Sequence, residues 1–83
     1  MATRVYTIRG DPEQMFRALS GGLPAGAMVV GNSTRGAIDA LGTRLVDFSR
    51  AGDQLTVTVH RGILFYSEGD IWKRIESGLR PYL

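Results

Sequence analysis

Residues 54–60, Gln-Leu-Thr-Val-Thr-Val-His, alternate apolar and polar side chains without a break, and from Ser67 onward the chain changes to a helical period. A period of two predicts a strand with one buried face, and a period near 3.6 predicts an amphipathic helix. Each element has one apolar side that must be covered, and neither is stable alone. Ser67-Glu-Gly-Asp70 reads as a capping-box start with two acids in the positive first turn. Ile71, Trp72, Ile75 and Leu79 share one face, with Lys73, Arg74 and Arg80 in the later part of the helix, where cations oppose the dipole. Pro81 ends the helix. Tyr82 and Leu83 are apolar, which predicts a terminus tied to the body.

Upstream, Arg4 to Arg9 alternates and is rich in β-formers, so it reads as a strand ended by Gly10. Asp11-Pro-Glu-Gln14 begins a short helix: Asp11 can cap, Pro12 suits the first helical position, and Gln14 can reach back. Met15, Phe16, Ala18 and Leu19 form its stripe. Gly21-Gly22 closes it, with Leu23 placed for the apolar contact of a C-cap.

Glycines 42, 52 and 62 then recur ten residues apart, the spacing of a β-meander. Ala51-Gly52-Asp53 is a hairpin turn in this reading. Val46 and Phe48 share one face, and Leu55, Val57 and Val59 form the core face of the next strand. Residues 33–42 fit either a strand or a short helix capped by Ser33; the meander spacing favours the strand. Residues 61–66 read as an apolar connector. The expected architecture is a single α+β domain over residues 1–83. It has an antiparallel meander of four to five strands, with a short N-terminal helix (11–21) and a long C-terminal helix (68–80) packed on one face.

Size limits what such a domain can do. A chain of 83 residues buries only about 60–65% of its unfolded surface. Without cysteine, neither a disulfide nor a thiolate-bound metal can supplement the core. Stability must come from packing or from a subunit interface, and meander edges invite a homodimer. The N-terminus has no apolar leader, and no stretch approaches the ~20 apolar residues that span a bilayer. These features predict a soluble, cytoplasmic protein. The net charge of +2 comes from ten basic and eight acidic residues spread singly, nine of the basic ones Arg. A nucleic-acid surface clusters its cations, so nucleic-acid binding is not expected.

Candidate sites are few. Gly31-Asn-Ser-Thr-Arg-Gly36 follows an apolar run, but it matches neither phosphate-loop pattern and reads as a hairpin turn. His60 is the only histidine and has no second ligand nearby in sequence, so no metal site or cofactor is expected. No acid–base pair or activated nucleophile is visible, which predicts a protein that is not an enzyme. The aromatic set is large for so short a chain. It predicts either a packed core or a pocket between sheet and helix, lined by Phe48, Val57, Val59, Phe65, Tyr66, Trp72 and Ile75. Arg44 and Arg50 would be polar anchors at its mouth.

Strand, short helix, meander and long terminal helix, carried by Arg4–Arg9 with Asp11–Phe16, by Gly52–Val59, and by Ile63–Ser67 running into Ile71–Ile75, is an order that resembles the helix-grip, START-like proteins. The nearest likeness is to very small bacterial members of the polyhydroxyalkanoic-acid-system type. The resemblance covers most of the chain as topology and carries over no catalytic residue. It implies binding of an apolar small molecule or lipid, or a structural use of the same scaffold. Two functions are therefore expected. One is a non-enzymatic module for a hydrophobic small molecule held between sheet and terminal helix. The other is a protein-interaction module or small inhibitor working through a sheet edge or apolar patch, as a homo-oligomer.

Overall fold

The computed structural model describes residues 1–21, 23, 26–62 and 66–83. Its elements are β1 (Ala2–Thr7), α1 (Pro12–Gly21), β2 (Ala27–Gly31), β3 (Arg35–Ala40), β4 (Thr43–Ala51), β5 (Gln54–Val59) and α2 (Glu68–Leu79), followed by a 3-10 turn at Arg80–Tyr82. The strands form one antiparallel sheet in the order β1-β5-β4-β3-β2. β2 to β5 are the expected meander, and β1 adds to β5, so the first strand lies beside the last.

Residues 35–40 are strand rather than helix. Asn32 decides this locally: its Oδ1 accepts the amides of Thr34 and Arg35 at 2.9 and 3.0 Å, which folds the Gly31–Gly36 segment into a hairpin turn. Both helices begin with a side-chain cap. Asp11 Oδ1 accepts the amide of Glu13 at 2.9 Å. Ser67 and Asp70 form a full capping box, which holds the Asp70 carboxyl below the usual carboxylate range through its bonds to the backbone and side chain of Ser67.

One face of the sheet carries Ile38, Ala40, Val46, Phe48, Leu55, Val57 and Val59. Met15 and Leu19 of α1 and the whole predicted stripe of α2 pack onto it. The rings of Phe16 and Phe48 sit 6.0 Å apart. Met15, Val46, Leu55, Val59 and Leu79 are the fully buried centre. The terminus is anchored as expected: Arg9 N donates to Tyr82 O at 2.5 Å, and Tyr82 packs against the core.

A β-bulge interrupts the alternation. Ile38 pairs with Val46 but Asp39 pairs with Arg44, leaving Leu45 as an extra residue on β4. Leu45 and Val46 are therefore both buried, at 4% and 1% exposure, although they are consecutive. Everything on β4 before the bulge is turned to the other face.

Two backbone positions yield predictions. Leu41 and Gly42 form the two-residue turn between β3 and β4 with φ of 53° and 74°. Leucine is strained in that region, where Asn-Gly is preferred, and its side chain is 77% exposed. Leu41→Asn is expected to raise stability by about 0.5–1 kcal/mol in urea unfolding. Gly36 lies under the Phe48 ring: an added Cβ would sit 2.5 Å from Phe48 Cζ and 2.6 Å from Val30 O. Gly36→Ala is expected to lower stability by about 1–3 kcal/mol in the same measurement.

Candidate functional site

The residues expected to line a pocket are mostly core. Phe48, Val57, Val59, Trp72 and Ile75 are 0–6% exposed and Tyr66 is half-buried; Phe65 lies outside the described residues, as do Ile63 and Leu64 of the apolar connector. Between sheet and α2 a void of about 30 Å³ remains, lined by Leu23, Ala27, Ile38, Leu45, Val46, Tyr66, Ile71 and Ile75, with Arg74 at its rim. Small-molecule sites run to about 300–1,000 Å³, whereas this one has room for roughly one water. The Arg74 guanidinium lies 4.8 Å above the Tyr66 ring, so the cation at that rim is Arg74.

Neither predicted anchor stands there. The sequence alternation places Arg44 on the face of Val46 and Phe48, but the bulge at Leu45 turns it to the opposite side. There its Nε donates to Asp39 Oδ1 at 2.5 Å and its Nη1 to Asp47 Oδ1 at 3.1 Å. Arg50 binds the backbone of two turns instead, donating to Gly52 O at 2.7 Å and Ser33 O at 3.3 Å.

The strongest polar cluster on the helix side joins the two ends of the chain. Arg4 and Tyr6 on β1 both donate to Glu76 Oε1 on α2, Tyr6 at 3.0 Å, and the Arg4 guanidinium lies 4.4 Å above the Trp72 ring. Partial burial pushes the Tyr6 hydroxyl up, while its hydrogen bond, followed by that of Arg4, holds the Glu76 carboxyl down. This is a clasp between β1 and α2. Trp72 is thus the underside of a cation–π contact and is only 6% exposed.

The opposite face of the sheet is open. Thr3, Val5, Met28, Arg35, Arg44 and Ser49 project there and are exposed. Asp39, Arg44, Asp47 and His60 form a chain of charged hydrogen bonds across it. His60 Nε2 donates to Asp47 Oδ2 at 2.5 Å. That bond first, and Arg44 second, hold the Asp47 carboxyl below the usual range. Sequence reading missed this pair, though the hairpin at Gly52 contains it: the register that pairs Ala51 with Gln54 sets Asp47 opposite Thr58, diagonal to His60. A depression of about 240 Å³ beside it is lined by Arg35, Gly36, Asp47, Phe48, Ser49, Thr56 and Thr58. Among the described residues no group of three or more His, Asp or Glu is arranged to hold a metal ion.

β1 and β2 are the two edges of the sheet, each without a further strand among the described residues, and they differ in chemistry. Around β1, the N-terminal ammonium pairs with Glu68 and Arg4 with Glu76. β2, Ala-Met-Val-Val-Gly, carries no charge, and Met28 is 61% exposed. The direction of its free backbone groups follows from one bond. Asn32 N donates to Arg35 O at 3.0 Å, which makes Gly31 and Gly36 a non-hydrogen-bonded pair. By alternation, Met28 and Val30 bond to β3, and the N–H and C=O of Ala27, Val29 and Gly31 point outward.

Among the described residues no helix is long and apolar enough to cross a membrane. Comparison with protein-family models, curated proteins and solved structures finds no match for this chain.

The Asp47 bonds predict an acid-side effect. A carboxylate with a depressed folded pKa contributes stability above its unfolded value, near 3.9, and loses that contribution as pH falls through the folded value. Asp47→Asn is therefore expected to be the less stable protein at neutral pH. Its deficit should narrow below about pH 4, as followed by urea unfolding across pH.

Proposed function

We propose that this chain is a non-enzymatic interaction module that presents the free edge of β2 to an extended backbone. The observation that supports the reading most directly is the chemistry of that edge. Three residues, Ala27, Val29 and Gly31, turn N–H and C=O outward, and among the described residues none hydrogen-bonds to them. Proteins ordinarily blunt such an edge with Lys, Pro or an inward charge, and β2 has none of these. Strand addition uses main-chain hydrogen bonds for affinity and alternate side chains for specificity. Met28 and Val30 on the open face, and Val29 on the helix side, supply the second part.

Holding a hydrophobic molecule between sheet and α2, as in the START-like reading, is the weaker proposal. The void of about 30 Å³ there would have to grow roughly tenfold, which requires α2 to leave the sheet and the Arg4–Glu76 clasp to open.

A synthetic peptide copying residues 26–32, Gly-Ala-Met-Val-Val-Gly-Asn, probes the edge. Added at millimolar concentration to isotopically labelled protein, it is expected to shift the amide signals of Ala27, Val29 and Gly31 and to slow their hydrogen exchange. If those three amides stay unchanged, or if the amides of Thr3, Val5 and Thr7 on β1 respond in their place, the proposal is wrong.

A further inference from the structure

Resting on the edge reading above, we infer that the occupant of the β2 edge is a second copy of the same chain, paired about a two-fold axis through Val29. The hydrogen-bond pattern is self-complementary only in certain registers. With Val29 opposite Val29 of the copy, each Val29 N–H meets the other's C=O. Ala27 then faces Gly31 of the copy, and Gly31 faces Ala27. Every outward group of the five-residue strand finds a partner, giving six main-chain bonds and one continuous ten-stranded sheet.

The side chains match in the same register. Met28 and Val30 project on the open face of the sheet, and antiparallel pairing sets Met28 of one copy beside Val30 of the other, twice over. The most exposed large side chain of the strand is thereby covered. On the helix side the pairs are Val29 with Val29 and Ala27 with Gly31, all small enough to let the two strands close. No charge lies on β2, so no like charges meet, and none is stranded in the seam. β1 does not offer this. A two-fold axis through Val5 would set Arg4, already committed to Glu76 and Trp72, against Tyr6 of the copy, and would bring two acid- and base-bearing α2 helices together.

An edge of five residues a side is smaller than a standard stable interface, so the dimer is concentration-dependent, with a dissociation constant of about 10 µM to 1 mM. The chain lacks cysteine, which makes register directly testable by cross-linking. Met28→Cys and Val30→Cys chains, mixed and oxidised at high micromolar concentration, should form the mixed disulfide in about tenfold excess over either like pair. Only the mixed pair lies within disulfide reach in this register. Sedimentation equilibrium should show self-association of the native chain, and Met28→Lys should weaken it at least tenfold without changing the urea midpoint.

A chain that stays monomeric to millimolar concentration while still docking the 26–32 peptide would overturn the second copy as occupant and leave the edge reading standing. A dimer that gives like-pair or no disulfides would overturn the register. Failure of both peptide and chain to engage β2 would remove the edge reading itself.

Discussion

The apolar stripe of α2 on the inner face of the sheet is the contact on which the rest of this molecule depends. Ile71, Trp72, Ile75 and Leu79 cover strands that would otherwise expose Val46, Phe48, Leu55, Val57 and Val59 to water. A domain this small has no second core to fall back on. Burying a Leu- or Val-sized side chain is worth about 1.5–3 kcal/mol, so a handful of such residues decides whether it folds. α1 completes the layer by packing beside α2 near Gly78, where an added Cβ would make an ordinary contact 3.6 Å from Leu19 Cδ2. The Arg4–Glu76–Tyr6 cluster sets α2's position along β1, and its partly exposed ion pair is secondary in energy to the packing beneath it.

That packing separates the two sides of the sheet. On the helix side the described residues pack closely, leaving a void of about 30 Å³, and those that look like a lining from their sequence positions are buried together in the core. The open side, by contrast, carries a polar network whose members are half-exposed and mutually paired. Among the described residues, the outward main chain at the uncharged edge of β2 has no hydrogen-bond partner, and the proposed role follows from that unmet bonding capacity.

Much of the fold was legible because strong local signals agreed with one another. The alternation at 54–59, the stripe and capping box of the last helix, and the ten-residue glycine spacing each lead to an element that is present. The candidate site was less legible. Arg44 was misplaced because a bulge is a local insertion in pairing, and nothing in Thr-Arg-Leu-Val-Asp announces that Leu45 is the residue left over. Trp72 looked like pocket wall because its cover, Arg4, lies 68 residues away in the chain. The Asp47–His60 pair could have been found, since it follows from the hairpin register alone.

Periodicity, caps and turn residues, written in the order of amino acids, determined which segments are strands or helices and which of their faces are apolar. These are short-range properties, set by the geometry of a few consecutive residues. Only the tertiary structure decided that β1 closes against β5, that the bulge turns Arg44 to the open side, and that Phe48, Val57, Val59, Trp72 and Ile75 pack into a core. Those outcomes depend on volumes and registers shared between distant segments, which no single stretch of the chain contains.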